Sequence, residues 1–306
     1  MTMITFGQFK DVVTTSKLSA GGISEPSLDE KYIRHFNKWL TSGYHAEMEW
    51  MKRTRDDRLD IQKRFPWVKS ILVLLDNYFS DPISAKNGIK ISRYVMGQDY
   101  HSVLEEKMSS VLLGLKNIDG KINGKIYVDT GPFLEKAYAE QASLGWIGKS
   151  GMFIGTGIGS YCFIGMLLLS IDIQPSGVAI NRCGSCMFCI DQCPAGAIIE
   201  PGLIDSNRCI SYMTIEKKGN FSDAERARLD KWVYGCDVCQ EVCPWNRKWS
   251  KLTPDSRYMD RKNQIQKYIE LGNTGNIDKF TMVFKNTAIE RLKFKRMQRN
   301  MNTALQ

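Results

Sequence analysis

Clustered cysteines constrain this 306-residue chain more than any other feature of its sequence. Eight of the nine cysteines lie between positions 183 and 243, in the segments "CGSCMFCIDQCPAGAI", "DSNRCISYMTIEKKG" and "CDVCQEVCPWN". In a reducing compartment, closely spaced cysteines indicate metal binding or redox chemistry rather than disulfide bonds. The ninth, Cys162, lies in an apolar segment, where we expect a buried structural thiol.

The N-terminal segment indicates the compartment. "MTMITFGQFKDVV" has no basic run, long apolar stretch or small-residue cleavage site of the kind that export signals carry. The longest apolar stretch, "CFIGMLLLSIDI" at 162–173, is too short to span a bilayer and is typical of a buried strand. The sequence therefore predicts a cytoplasmic protein that does not enter a membrane.

The spacing of the cysteines predicts iron–sulfur clusters. The first run matches the C-x2-C-x2-C-x3-C-P pattern of bacterial two-cluster ferredoxins. The last run lacks only its first cysteine, and Cys209 is available to fill that place. If ligands are exchanged between the runs as in those ferredoxins, one [4Fe-4S] cluster takes Cys183, Cys186, Cys189 and Cys243. The other cluster takes Cys193, Cys209, Cys236 and Cys239. Two tetrahedral zinc sites are the alternative, but zinc needs neither this spacing nor the repeated Cys-Pro endings.

Apolar patterns ahead of the cysteines predict a mixed α/β core of the α+β type. Residues 70–79 and 125–131 read as strands, 30–43 as an amphipathic helix, and "PFLEKAYAEQASLG" as a helix from Pro132 to Gly145. We therefore expect a large α+β domain over 1–172, a two-cluster ferredoxin-like module over 173–250 and a short helical segment over 251–306.

Positive charge is concentrated in that last segment. The chain has a formal net charge of +9, and residues 251–306 carry twelve Lys/Arg against five Asp/Glu. This pattern is compatible with a solvated helical surface and also with a polyanionic partner such as nucleic acid.

Several segments together resemble one family. They are "GYHAEMEWMKRTRDDRLD", "SRYVMGQDYH", "VDTGPFLEKAYAEQASLGWIGKS" and the three cysteine segments. In this order they are similar to the epoxyqueuosine reductases, which are cobalamin-dependent iron–sulfur enzymes. The resemblance implies a cobalamin-binding α/β core related to reductive dehalogenases, packed beside a two-cluster module. It implies reduction of epoxyqueuosine to queuosine at the wobble position of tRNA, by cob(I)alamin fed from the clusters.

The resemblance also implies roles for individual residues. Asp129 in "VDTGP" matches the general acid of the family, and a partly apolar pocket would favour its protonated form. Taken by itself, an Asp before Thr-Gly-Pro is equally typical of a turn or helix cap. The residues expected to line the cobalamin, together with Asp129, are Arg53, Tyr100, Ser211, Asp237 and Val238. For Arg53 and Tyr100 a salt bridge and a core aromatic are the alternatives.

Partners follow from the same resemblance. The expected tRNA contacts are Arg291, Lys293, Lys295, Arg296 and Arg299, which would neutralise phosphates. An external low-potential donor such as a ferredoxin or flavodoxin would supply electrons, and we expect a monomer. Two other functions fit the cysteines: a corrinoid reductase of a small molecule, and a ferredoxin-like electron carrier without its own active site.

Overall fold

The computed structural model describes residues 6–272 and 275–306. The helices are α1 (Phe6–Thr15), α2 (Glu30–Thr41), α3 (Glu49–Arg53), α4 (Arg55–Leu59), α5 (Ile61–Arg64), α6 (Tyr100–Ile118), α7 (Glu135–Gln141), α8 (Phe188–Asp191), α9 (Ile210–Ile215), α10 (Asp223–Arg228), α11 (Val238–Glu241), α12 (Pro244–Trp249), α13 (Lys262–Glu270), α14 (Ile277–Phe284) and α15 (Phe294–Leu305). Short 3-10 turns lie at Arg93–Val95, Ser256–Tyr258 and Ala288–Leu292.

The strands are β1 (Ala20–Ser24), β2 (Ser70–Asn77), β3 (Lys90–Ile91), β4 (Gly124–Tyr127), β5 (Gly145–Ile147), β6 (Phe153–Gly155), β7 (Cys162–Leu169), β8 (Ile198–Glu200), β9 (Leu203–Ile204) and β10 (Trp232–Tyr234). β1, β2, β7 and β4 form an antiparallel sheet in that order. The mixed α+β class and the two long apolar strands are as predicted.

Both faces of this sheet are buried, which explains why β2 and β7 are continuous apolar runs. Leu72 and Leu167 face a core shared with α6, whereas Val73 and Leu168 face a second core shared with α7. Each buried aliphatic side chain of this kind contributes about 1.5–3 kcal/mol relative to an exposed one. Cys162 is half-buried at the start of β7, and burial raises the pKa of its thiol to about 12.

The segment after β4 differs from the predicted helix. α7 begins at Glu135 rather than Pro132, because the preceding turn places Asp129 in the left-handed region at φ +52. It ends at Gln141, and Ser143 at φ +60 then turns the chain, so that Gly145 begins β5 instead of closing the helix. The strand predicted over 125–131 is shorter and ends at Tyr127. Asp129 thus lies on a tight turn between β4, an edge strand of the sheet, and α7.

Residues from all three predicted segments meet in one core. The core around α6 also contains Val233 and Tyr234 of β10, Tyr258, and residues of α13, α14 and α15. β10 pairs with β3 in parallel, and Asn300 of α15 donates hydrogen bonds to the carbonyl oxygens of Thr214 and Val233 at 2.8 Å each. In the described ranges no helix has the length and apolar character needed to cross a membrane.

Candidate active site and cluster-binding region

The first predicted cysteine set surrounds a single cavity. Cys183, Cys186, Cys189 and Cys243 line a space of about 340 Å³ together with Lys149 and Trp245. The indole N–H of Trp146 donates to Cys183 Sγ at 3.4 Å. Donors of this kind stabilise thiolate sulfur, so the side chains present fit a [4Fe-4S] cluster.

The second predicted set is also brought together, deeper in the protein. Burial, followed by the neighbouring thiols of Cys209 and Cys193, raises the pKa of Cys236 to about 12. Burial, followed by the neighbouring thiols of Cys236 and Cys209, also raises the pKa of Cys239. Buried thiols of this kind become thiolates when a cation is bound to them, which fits a second cluster. Cys239 also lines the cavity of the first set, so the two sets are adjacent.

Asp129 receives hydrogen bonds from an aromatic group on α6. The hydroxyl of Tyr100 donates to Asp129 Oδ2 at 2.6 Å, and the Tyr100 ring stacks between His101 and Phe163 at centroid distances of 4.0 and 4.3 Å. Tyr100 is therefore a core aromatic and a partner of Asp129 at the same time. The Asp129 side chain is 57% exposed although it sits among these groups, which indicates an open cleft.

His101 links Asp129 to the C-terminal segment. Its Nδ1 lies 2.6 Å from Asp99 Oδ1, and its Nε2 lies 3.8 Å from Asp129 Oδ2 and 3.0 Å from Arg291 Nη1. Burial lowers the pKa of His101, but Asp129 and Asp99 outweigh burial and raise it to about 9. The Arg291 guanidinium can donate to Nε2 only while that nitrogen carries no proton. Protonation of His101 therefore competes with its contact to Arg291.

The pKa of Asp129 differs from the sequence-based prediction, which expected its protonated form to be favoured. Desolvation by the surrounding side chains raises the pKa of Asp129, but the nearby His101 and the hydrogen bond from Tyr100 outweigh it, so that the pKa falls below its ordinary value. The neutral form is favoured instead at Glu135, whose Oε1 accepts from the Asp129 amide at 3.0 Å. Burial and then the Asp129 charge raise the pKa of Glu135 to about 8. These shifts favour an ionised Asp129 and a neutral Glu135 near neutral pH.

Lys136 lies near both this acid group and the second cysteine set. Its ammonium donates to the Gly151 carbonyl at 2.8 Å, and its side chain is exposed. Desolvation by the surrounding protein lowers the pKa of Lys136, while the charges of Asp129 and then Cys239 oppose that change. Asp129 and the second cysteine set are thus both close enough to Lys136 to influence its charge.

The other predicted cobalamin contacts occupy different environments. Arg53 is exposed at the end of α3, while Ser211 in α9 and Val238 in α11 are half-buried near the second cysteine set. Asp237 is buried: its carboxylate accepts from the Arg93 amide at 2.8 Å, from Arg93 Nη1 at 3.2 Å and from the Ser92 hydroxyl. Asp237 thus anchors the cysteine loop to residues 92–93.

The five predicted tRNA contacts divide into two groups. Arg291, Lys293 and Lys295 are exposed. Arg296 donates to the Ile215 carbonyl at 2.7 Å, and Arg299 donates to the Lys217 carbonyl at 2.9 Å while its guanidinium lies 4.0 Å from the ring centroid of Phe221. These two guanidinium groups bind carbonyls at the end of α9, as cations at a helix C-terminus commonly do.

Sequence reasoning missed the parts that Glu135, Lys136 and His101 take in this cleft. Only closeness in the sequence could have indicated them. His101 follows Tyr100 directly, and Glu135 and Lys136 lie six and seven residues after Asp129.

Known proteins resemble the chain along most of its length. The family model "4Fe-4S double cluster binding domain" matches residues 182–246, and "Epoxyqueuosine reductase QueG, DUF1730" matches residues 58–130. The epoxyqueuosine reductase of Leadbetterella byssophila is 35% identical over 280 residues, covering 92% of this chain and 91% of the relative. That of Synechocystis sp. is 36% identical over 292 residues, covering 93% and 98%.

A solved structure agrees with this comparison. A crystal structure of epoxyqueuosine reductase with an epoxyqueuosine-modified tRNA-Tyr stem loop superposes with a TM-score of 0.86 and 27% identity, covering 98% of this chain and 80% of the other.

Two adjacent cysteine sets and a cleft with a paired acid group define an iron–sulfur oxidoreductase with a double [4Fe-4S] cluster domain. The length and identity of the matches then give the family. The chain belongs to the epoxyqueuosine reductases, and the two clusters and the cobalamin implied by the sequence are cofactors of that family.

Proposed function

We propose that this chain reduces epoxyqueuosine to queuosine at the wobble position of tRNA, the last step in making that nucleoside. The observation that carries the proposal is that Lys136, next to Glu135 of the acid group, is close enough to both Asp129 and Cys239 for their charges to oppose the fall in its pKa. An enzyme that removes an epoxide oxygen must bring a source of electrons and a source of protons to one cleft, and this arrangement does so.

Each cysteine set would hold one [4Fe-4S] cluster, with the ligands exchanged between runs. Cobalamin, when bound, supplies a strongly reducing cobalt at the substrate. The residues we propose beside it are Arg53, Tyr100, Asp129 and Ser211, together with the backbone of Asp237 and Val238. Cys239 and Cys209 influence the charge of Lys136, as Asp129 does, so we propose that the set containing them delivers electrons to the cleft and that the other set receives them from outside.

Asp129 would donate the proton that the departing epoxide oxygen needs. Filling the cleft removes water from its carboxylate, and desolvation raises the pKa of a carboxyl group. Asp129 can then take a proton from Glu135, whose carboxyl contacts its backbone at 3.0 Å, or from His101 at 3.8 Å. Tyr100 keeps the Asp129 side chain in place through its 2.6 Å hydrogen bond.

The substrate would be a tRNA whose anticodon loop presents an unpaired base, because a splayed loop base can reach a pocket that a paired base cannot. Lys293 and Lys295, both exposed, would neutralise phosphates of that tRNA, with Arg291 near the cleft. We propose a cytoplasmic monomer that accepts electrons from a separate low-potential carrier.

The test is direct. The protein is purified without oxygen, its clusters are reconstituted, and it is incubated with cobalamin and desalted before absorption spectra are taken. Reduced holoprotein is then given tRNA carrying epoxyqueuosine, and digested nucleosides are analysed by mass spectrometry.

We expect retained corrinoid and conversion to queuosine. Retained corrinoid without queuosine would indicate reduction of another molecule, and clusters without corrinoid would indicate an electron carrier. Either result would overturn the proposal.

A further inference from the structure

The surface over the first cysteine set exposes large apolar side chains. Ile180 is 76% exposed, Phe188 is 53% exposed and Met187 is 38% exposed. Met187 and Phe188 lie between Cys186 and Cys189, and Ile180 lies three residues before Cys183, so these side chains belong to the cysteine loop and the residues that lead into it. Grouped apolar exposure of this kind marks interaction sites on proteins that are otherwise polar outside.

Basic residues surround these apolar side chains. Lys149 Nζ lies 3.5 Å from Met187 Sδ and donates to the Gly184 carbonyl at 2.7 Å. Trp245 donates to the Arg182 carbonyl at 3.2 Å, and Lys248 Nζ lies 5.6 Å from the Trp245 ring centroid. The surface consisting of Lys149, Ile180, Arg182, Met187, Phe188 and Lys248 is called the carrier face below.

The charge of this surface selects the partner. Residues 177–192 and 244–251 carry four Lys/Arg and one Asp, a net charge of +3. Of the acids nearby, Glu200 pairs with Lys38, and Glu241 pairs with Arg93 at 2.6 Å. A positive, partly apolar surface is complementary to an acidic protein, and opposite charges accelerate the encounter of two proteins.

We propose that the carrier face docks a small acidic one-electron carrier protein, which reduces the cluster held by Cys183, Cys186, Cys189 and Cys243. This rests on the proposed function only in that both use the clusters as the electron path. The bound carrier loses one electron and the cluster gains it; no bond is made or broken and no proton moves. Such redox complexes use small interfaces, below about 1,200 Å², and dissociate readily.

Charge reversal on the carrier face tests the proposal. Full-length protein reconstituted with its clusters and carrying Arg182→Glu and Lys248→Glu is mixed with reduced flavodoxin, an acidic carrier, and bleaching of the cluster absorption is followed by stopped flow. We expect the second-order rate constant to fall at least tenfold. Calorimetric titration with oxidised flavodoxin, which transfers no electron, should show a matching loss of affinity. Added salt should slow the wild type and affect the variant little.

Two controls isolate docking from damage. Photoreduced deazariboflavin is small and uncharged, so it should reduce both proteins at the same rate. Lys116→Glu with Lys121→Glu makes the same charge change at the end of α6 and in the turn after it, and α6 packs against α1, β4 and β7. This control should behave as wild type with flavodoxin.

Unchanged flavodoxin rates and affinity in the Arg182→Glu, Lys248→Glu protein would overturn the proposal. If reduction by deazariboflavin also slows, the double variant is damaged and the milder Ile180→Ser variant is used instead. Ile180→Ser should weaken flavodoxin binding about threefold. Flavodoxin binding by Ile180→Ser with the affinity of wild type would overturn the proposal. None of these measurements uses tRNA or cobalamin, so a failure here is distinct from a failure to produce queuosine.

Discussion

The Tyr100 hydroxyl donates a 2.6 Å hydrogen bond to the carboxylate of Asp129, which is held at φ +52 on the turn after β4. A left-handed conformation at a residue other than glycine costs energy, and such strain is concentrated at functional sites. The hydrogen bond fixes the carboxylate at the cleft, and Glu135 and His101 surround it with proton donors.

Reductase activity should depend on the proton held by Glu135. Because the pKa of Glu135 is about 8, kcat in the wild type should fall as the pH rises through 8. Glu135→Gln keeps an oxygen that accepts from the Asp129 amide but has no proton to lose. The decline near pH 8 should disappear, and the remaining decline should follow His101 near pH 9. A pH profile identical to wild type would show that Glu135 supplies no proton.

The same group makes stability depend on pH. Folded protein keeps the Glu135 proton up to about pH 8, whereas the unfolded chain loses it near 4.5, so the free energy of unfolding decreases between those values. Glu135→Gln removes this decrease. The variant should therefore melt at a higher temperature than wild type at pH 9, with little difference at pH 5. Thermal unfolding of wild type and variant at pH 5 and pH 9 measures this difference in melting temperature. The same difference at both pH values would contradict the raised pKa of Glu135.

Iron counting in double variants can determine how the cysteines are shared. If Cys183 and Cys243 bind one cluster, changing both to serine should remove one cluster and leave about four irons per chain. Changing Cys183 and Cys193 should then remove both clusters. Without ligand exchange, Cys193 would belong with Cys183, and the iron contents of the two double variants would be reversed.

A buried ion pair should connect α6 to the C-terminal segment energetically. Lys107 Nζ lies 2.5 Å from Asp76 Oδ2 and 2.9 Å from Asp255 Oδ2, and Tyr258 donates to Asp76 at 2.7 Å. Lys107→Met leaves the Asp76 charge buried without its partner, which should cost about 3–5 kcal/mol in urea unfolding. Adding Asp76→Asn should recover part of that loss, and no recovery would point to lost packing instead. Lys116→Met, on the exposed side of α6, is the matched control.

The basic residues of the C-terminal segment should separate into tRNA contacts and structural contacts. Lys293→Ala with Lys295→Ala should lower tRNA affinity and reduce the salt dependence of log K by roughly 1.4–1.8, without changing the melting temperature. Arg299→Ala should destabilise the fold by about 2 kcal/mol, because carbonyls at the end of α9 lose their donor. The opposite pattern would assign Arg299 to tRNA and the lysines to the fold.

Local patterns in the sequence predicted the features that depend on neighbouring residues. The spacing of the cysteines gave the two sets, continuous apolar runs gave β2 and β7, and "VDTGP" marked the turn that holds Asp129. The buried contact of Asp237 with Arg93 joins residues 144 positions apart. Arg299 reaches the carbonyls of residues more than 80 positions earlier. Long-range contacts of this kind leave no periodic signal in a single sequence.

The proposed mechanism requires Asp129 to donate the proton in the reduction of epoxyqueuosine. We would test this first by measuring the single-turnover rate of conversion on tRNA by reduced holoprotein. The rate is compared between wild type and Asp129→Asn at equal iron and cobalamin content. The amide has nearly the same size and can still accept from Tyr100, so the fold and the cleft should persist. Asp223→Asn, whose side chain is fully exposed on α10, makes the same chemical change elsewhere.

We predict that Asp129→Asn lowers the single-turnover rate by about 10²–10⁴, the usual contribution of a general acid, with unchanged tRNA affinity and a normal rate for Asp223→Asn. Conversion by Asp129→Asn at the wild-type rate would contradict the account.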